Sequence, residues 1–220
     1  MSKLCIVGIG PGSKDYLTQI AIKTVENSDF VIGSQRALDL FENASQKIVF
    51  NVKNLEEFLY KSVDLVNEGF NVSLLSTGDP GFSGLLKPIL RIAKEKNLDE
   101  KAIEVFPGIS SLQLASAKTH IPWDEANIMT FHGRDDQSAI LDIIENNSDT
   151  RESINSKSSI ILPSKSVKDF AKFLIDSGVD ENRKITVCER LSYLNEKIVD
   201  TTLKDILNSN FSYMCILVIY

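Results

Sequence analysis

Along most of the chain, short β-rich apolar runs alternate with segments whose apolar residues recur every three or four positions. The runs mark strands and the longer period marks amphipathic helices. "LCIVGIG" (4–10) predicts a first strand, after which Leu17, Ile20, Ala21, Thr24 and Val25 share one helical face. "DFVIGS" (29–34) and "KIVF" (47–50) predict two more strands. "NLEEFLYKSVDLVNEG" (54–69) predicts a helix with Asn54 as N-cap and Gly69 just past its end. "NVSLLSTGDPG" (71–81) reads as a strand entering a glycine loop. "LLKPILRIAKEK" (85–96) reads as a helix with Pro88 in its first turns or at a kink. "AIEVFPGISS" (102–111) is a further strand leading into a loop and helix.

The texture then changes. "AKTHIPWDEA" (117–126) has no clear period and carries Pro122 and the only tryptophan, so it is expected to connect two lobes. The second lobe opens with "NIMTFHGR" (127–134), followed by a helix around 137–146 and a polar insertion, "NNSDTRESINSKS" (146–158), expected to be a mobile loop. "SIILPS" (159–164) is a strand, followed by a helix over 166–177 that ends at Gly178. "KITVCERLSY" (184–193) and "EKIVDTTL" (196–203) predict adjacent strands joined by a turn at Leu194–Asn195, and "YMCILVIY" (213–220) a last apolar strand. The alternation predicts an α/β fold with largely parallel strands, divided into an N-terminal α/β domain (1–116), the connection (117–126) and a C-terminal α/β domain (127–220).

Composition narrows the function classes. A hydrophobic share of 43% supports a real core, and the formal net charge of −6 argues against a nucleic-acid or anionic-membrane surface. No apolar run approaches the roughly 18 residues of a membrane helix, and the N-terminus lacks the apolar region of a signal peptide. Cys5, Cys188 and Cys215 are far apart in strand-like stretches, which predicts reduced buried thiols in a cytoplasmic protein. No His/Cys cluster has metal-ligand spacing, so no resident metal is expected.

Glycine loops carry the candidate chemistry. "IVGIGPGSKD" (6–15) first suggests a dinucleotide fold, but Ser13 stands at the third glycine position and the second strand ends in "VIGS", without a ribose-binding carboxylate. The order needed for a P-loop is missing too, and Pro11 removes a backbone donor that a phosphate would use. "STGDPGFSG" (76–84) and "FPGISS" (106–111) share the same place, after a strand and before a helix. In an open α/β sheet three such loops line one crevice. Their contents are glycines, prolines, hydroxyls and a single acid, Asp79, which suits a neutral or cationic ligand better than a nucleotide phosphate.

"VGIGPG" (7–12), "LTQIAIKTVENSDFVIGS" (17–34), "STGDPGFSG" (76–84) and "VFPGISSLQLA" (105–115) together resemble the tetrapyrrole methylase family. The resemblance implies two α/β lobes with a cleft between them, S-adenosylmethionine as methyl donor, and a homodimer. "FHGR" (131–134) and "CERLSYLNEKI" (188–198) resemble the branch that methylates C5 of cobalt-precorrin-7 or precorrin-7 in cobalamin synthesis. That branch more often carries Glu-Asn-Leu-Gly-Tyr followed by an acidic-Glu pair, from which Arg190, Ser192 and Asn195 depart, and some members are fused to an enzyme that methylates C15 and decarboxylates. Here that enzyme would be a separate partner.

By resemblance, Gly10, Pro11 and Gly12 back the cofactor, and Gly78, Asp79 and Phe82 bound its methionine end. Pro107, Gly108, Ser110 and Ser111 supply further contacts, and Leu162 and Leu191 flank adenine. Substrate carboxylates call for Arg134, then Lys165 and Arg36, with His132 binding substrate or taking the proton lost after methylation. Glu189 is the other catalytic candidate. Alternatives are another ring position, diphthine synthesis, a non-catalytic corrinoid-binding protein and an NAD-dependent oxidoreductase.

Overall fold

The computed structural model describes residues 2–144, 158–163 and 166–220. It divides into two units, Met1–Ser110 and Ser111–Tyr220. In the first, strands β1 (Leu4–Gly8), β2 (Phe30–Ser34), β3 (Gln46–Phe50), β4 (Val72–Ser76) and β5 (Ile103–Phe106) form a sheet of order β3-β2-β4-β1-β5. Every neighbouring pair is parallel. The connecting helices are α1 (Gln19–Glu26), α2 (Gln35–Leu38), α3 (Leu55–Asn67) and α4 (Leu86–Glu95).

Alternate strand residues serve opposite faces. Leu4, Ile6, Ile32 and Leu74 join Leu59, Val63 and Val66 of α3 and Ile89 and Ile92 of α4 in one core cluster. Cys5, Val7, Val31 and Leu75 join Ala21 and Val25 of α1 and Ala37 and Leu38 of α2 in another. Burial on both faces is why β1 and β4 read as unbroken apolar runs, the pattern of a covered parallel sheet. β4 carries two polar exceptions, Ser73 and Ser76; Ser73 is matched by Ser28, their hydroxyls 2.7 Å apart. Ile20 departs from the expected helical face: it is exposed, and Ala21 and Val25 carry the buried side of α1. Asn54 occupies the N-cap position of α3, but its Oδ1 accepts from Asn51 N–H (2.8 Å) instead of a helix N–H. Pro88 lies in the first turn of α4, where no intrahelical N–H bond is lost.

The carboxyl ends of β4, β1 and β5, neighbours in the sheet, are brought into backbone contact by glycine. A Cβ on Gly8 would lie 2.4 Å from Gly108 N and 2.9 Å from Gly78 O, and one on Gly108 would lie 2.3 Å from Gly78 O. Gly10 and Gly78, both left-handed (φ +73° and +69°), exchange two hydrogen bonds: Gly10 N to Gly78 O at 3.3 Å and Gly78 N to Gly10 O at 2.8 Å. The connection leaving β1 runs to the α1–α2 face and that leaving β4 to the α3–α4 face, so the loops part at a topological switch point.

The second unit begins with α5 (Ser111–Thr119), followed by β6 (Asn127–Thr130), α6 (Leu141–Ile144), β7 (Ser159–Leu162), α7 (Val167–Asp176), β8 (Lys184–Glu189), β9 (Lys197–Thr202), α8 (Leu203–Leu207) and β10 (Cys215–Ile219). Because α5 packs against β7 and β10, it groups with this unit and moves the boundary from the expected 116 to 110. The sheet order is β6-β7-β10-β8-β9. Only β6–β7 is parallel, and the other three pairings are antiparallel. The expectation of largely parallel strands therefore holds for the first unit alone. β10 inserts antiparallel between β7 and β8, and β8 and β9 form a hairpin.

Three local expectations change as well. The helix around 137–146 is a 3-10 turn (Ser138–Ile140) running into the four residues of α6, with the remainder outside the described residues. Leu203 starts α8 instead of ending a strand, with the Thr202 side chain capping the helix. The β8–β9 pairing stops at Glu189↔Lys197, so residues 190–196 form a loop wider than the expected turn. Of the polar insertion expected over 146–158, residues 146–157 lie outside the described residues. Phe131, Phe170, Leu174, Ile185, Val187 and Leu217 anchor the core under α6–α8.

Glu189, a catalytic candidate, closes β8 with 5% of its surface exposed. Its Oε1 accepts Ser212 N–H at 2.6 Å, and Lys197 Nζ lies 3.7 Å from Oε2. Burial pushes its carboxyl up, but the Ser212 hydrogen bonds, Lys197 and Arg190 outweigh that and hold it below the usual range. The resulting stabilisation is present above the ordinary glutamate value of about 4.3 and drains as pH falls through the lower folded-state value. Urea melts across pH should therefore show Glu189→Gln less stable than wild type near pH 7, with the gap closing below about pH 4. A gap independent of pH would remove this role. Gly108→Ala should destabilise the fold by about 1–3 kcal/mol or more in the same assay, because backbone stands where the methyl would go.

Candidate functional site

The loops leaving β1, β4 and β5 form the candidate site of the first unit. Asp79 links two of them. Its Oδ1 accepts Gly81 N–H at 2.8 Å within its own loop, and its Oδ2 accepts Gly108 N–H from the β5 loop at 3.2 Å. It is the one charged residue in the 7–13, 76–84 and 106–111 stretches. Ser76 Oγ, buried under the β4 loop, accepts Leu85 N–H at 3.3 Å, and Leu86 N–H closes the loop on Pro80 O at 3.1 Å. Gly84 fits within this wrap, where a Cβ would lie 2.7 Å from Asp79 O, Pro80 O and Ser76 Oγ. Sequence reading gave Ser76 and Gly84 no role of their own. Their signal was the length of the glycine loop between a buried strand and a helix.

Gly10 and Pro11 are buried, Gly12, Phe82 and Ser110 half-buried, and Pro107 exposed. At Gly78 an added Cβ would meet only Ser110 Cα, at 3.9 Å, so this part of the loop surface is open. The structure brings Gly10, Gly78, Asp79, Gly108 and Ser110 close to one another, and separates the parts that the glycines play. Gly8 and Gly108 allow the loops to touch one another, while Gly78 borders free space. The donor set fits a sulfonium ligand such as S-adenosylmethionine. Neutral backbone and hydroxyl groups surround one carboxylate, and no lysine or arginine in these stretches would favour a pyrophosphate.

The remaining candidates are distributed more widely. Arg36, on α2, is exposed. Ser111 is the first residue of α5. In "FHGR", Phe131 is buried against Phe170 (ring centroids 5.8 Å apart) and its N–H donates to Leu162 O at 2.8 Å. His132 and Arg134 follow on an exposed turn closed by Arg134 N–H to Phe131 O at 2.9 Å. Leu162 is half-buried at the end of β7, and Lys165 lies outside the described residues. Glu189 is engaged with backbone, as described above.

Leu191 is 5% exposed, so its side chain belongs mainly to the protein interior. The residues on either side of it, Arg190 (φ +51°) and Ser192 (φ +73°), are left-handed. Asn and Gly, the residues of the branch pattern at these two positions, adopt that conformation most readily. Arginine and serine hold it here at a cost of order 1–3 kcal/mol each. Burial pushes the thiols of Cys188 and Cys215 up to about 12 and that of Cys5 to about 11, so all three stay protonated and are poor nucleophiles.

Comparison with known proteins agrees with this geometry. Residues 3–207 match the family of tetrapyrrole (corrin/porphyrin) methylases. The chain is similar to a probable cobalt-precorrin-7 C(5)-methyltransferase of Methanocaldococcus jannaschii, 43% identical over 217 residues that cover 97% of this chain and 95% of that one. It is 32% identical over 211 residues to a cobalt-precorrin-4 C(11)-methyltransferase of the same organism, covering 93% of this chain and 80% of that one. A uroporphyrin-III C-methyltransferase of Thermus thermophilus, crystallised with S-adenosylhomocysteine, shares the fold with a TM-score of 0.69 over 99% of this chain and 92% of that one, at 19% identity. With its paired α/β units and its glycine loops at the ends of β1, β4 and β5, the chain belongs to the tetrapyrrole methylase family.

Proposed function

We propose that this protein transfers a methyl group from S-adenosylmethionine to C5 of cobalt-precorrin-7 or its cobalt-free counterpart in cobalamin synthesis. The observation that carries the ring position is similarity along nearly the whole length, at 43% identity, to a probable C5 enzyme, against 32% for a C11 enzyme. The methyl donor supplies an electrophilic carbon on a cationic sulfur. The chain's own contribution is to hold that carbon in line with an electron-rich ring carbon and to keep water away, effects worth about 7–11 kcal/mol in favourable geometries.

Gly10, Pro11, Gly12, Gly78, Phe82, Pro107, Gly108, Ser110 and Ser111 are the proposed cofactor surface, with Asp79 fixing two of the loops and supplying the negative charge. Leu162 and Leu191 are proposed beside adenine. Arg134 and Arg36 are proposed to bind substrate carboxylates, with His132 near the proton released after transfer. The residues of the second unit rest on family resemblance. A homodimer in the cytoplasm is the expected form. The resemblance supports the dimer and the three free buried cysteines support a reducing compartment.

The direct test is incubation of cobalt-precorrin-7 with the protein and isotopically labelled S-adenosylmethionine, followed by NMR of the product. A labelled methyl on C5 is expected; label on another carbon overturns the ring position, and no incorporation overturns the activity. Asp79→Ala should weaken S-adenosylmethionine binding about tenfold while unfolding stays cooperative, and an unchanged titration with S-adenosylmethionine would remove Asp79 from the site. For Arg134→Ala, the expected result is a KM for the tetrapyrrole raised about tenfold with that for the cofactor unmoved, the scale of one lost charge-assisted hydrogen bond. Equal effects on both ligands would refute that assignment.

A further inference from the structure

Leu4, Ile6, Val72 and Leu74 make the α3–α4 face of β1 and β4 apolar, and strand alternation puts Ser76 next on that face. With 2% of its surface exposed, Ser76 is closed to ligands, so any effect of its hydroxyl on the site passes through the groups it holds. Those groups lie at the start of α4. Leu85 occupies the N-cap position there, and no side chain of the helix caps it. The first N–H groups go to the preceding loop instead. Leu85 N–H donates to Ser76 Oγ at 3.3 Å, and Leu86 N–H to Pro80 O at 3.1 Å.

Ser76 also accepts with its main-chain oxygen, from Ile9 N–H in the β1 loop at 3.0 Å. One residue therefore ties the end of β4 to the β1 loop and, nine residues along the chain, to the start of α4. Between those ties the 77–84 loop carries Asp79. Phe82 N–H returns to Asp79 O at 3.3 Å, and at Gly84 a Cβ would lie 2.7 Å from Asp79 O, Pro80 O and Ser76 Oγ alike. The loop is thus wound around the Ser76 hydroxyl. Asp79 Oδ2 meets Gly108 N–H of the β5 loop at 3.2 Å in this closed form. Alanine at position 76 would leave the Leu85 N–H without its acceptor and release the return of the loop.

We propose that Ser76 is a positioning residue: by tying the start of α4 to the end of β4 it closes the 77–84 loop and sets where the Asp79 carboxylate stands. This rests on the reading above that S-adenosylmethionine binds against the first-unit loops, with Asp79 supplying the negative charge. Every residue involved belongs to the first unit.

Calorimetric titration of S-adenosylmethionine into wild type, Ser76→Ala, Asp79→Ala and the double variant, each with a thermal melt, tests the proposal. Ser76→Ala should raise Kd about fivefold with a cooperative melt, and Asp79→Ala about tenfold. Because the hydroxyl acts through Asp79, the double variant should bind about tenfold more weakly than wild type, as Asp79→Ala does alone. Independent effects would multiply to about fiftyfold, and that result overturns the positioning role. A hydroxyl serving stability alone would lower the melting temperature and leave Kd unmoved, which also overturns it while the cofactor reading stands. Should Ser76→Ala lose its cooperative melt, Gly84→Ala, whose methyl would press on the same wrap, replaces it in the same comparison with Asp79→Ala. An unchanged Kd in Asp79→Ala removes the residue through which Ser76 acts, and the proposal with it. No binding by wild type overturns the cofactor reading and the proposal together.

Discussion

Backbone lying directly on backbone, at Gly8, Gly78 and Gly108, is the constraint on which the candidate site depends. Parallel strands place the carboxyl ends of β4, β1 and β5 side by side, but loops carrying side chains there would be forced apart. Without Cβ atoms the three ends close up, and the Gly10–Gly78 hydrogen bonds and the Asp79 carboxylate lock them. The resulting surface is built of main chain and hydroxyls around one acid. Such a surface discriminates by charge. With one carboxylate and no lysine or arginine, it favours a cationic sulfur over a pyrophosphate.

Carboxylates recur in this protein as anchors of irregular backbone. Asp79 receives N–H groups from two loops, Glu189 receives Ser212 N–H, and Glu196 receives Ser192 N–H together with the Lys118 ammonium. Charge-assisted hydrogen bonds of this kind are stronger than neutral ones, which makes them suitable for holding loop shapes that local propensity does not favour. Methyl transfer from a sulfonium needs little acid–base equipment, which leaves acidic residues free for this structural use.

Much of the first unit is legible in the sequence because a doubly covered parallel sheet writes a plain pattern: "LCIVG" and "VSLLS" are buried at every position. The three glycine loops are legible for the same reason, since each follows such a run. Direction and order of pairing leave no periodic trace, so nothing in "YMCILVIY" reveals that β10 runs antiparallel between β7 and β8. Ile20 illustrates the limit within a helix, where an apolar residue at the right spacing still faces outward. The partner of Glu189 lies 23 residues away in sequence, so its residue type alone could not separate an anchor from a catalyst.

The placement of β10 separates the two units in time. The sheet of the first unit is complete once Phe106 is made, so it can assemble while the rest of the chain is still on the ribosome. The second has a gap at its centre until residues 215–219 emerge, and until then β7 and β8 have no common neighbour. Nascent second units therefore expose two unpaired strand edges longest, and that interval is when a chaperone would matter most to this protein.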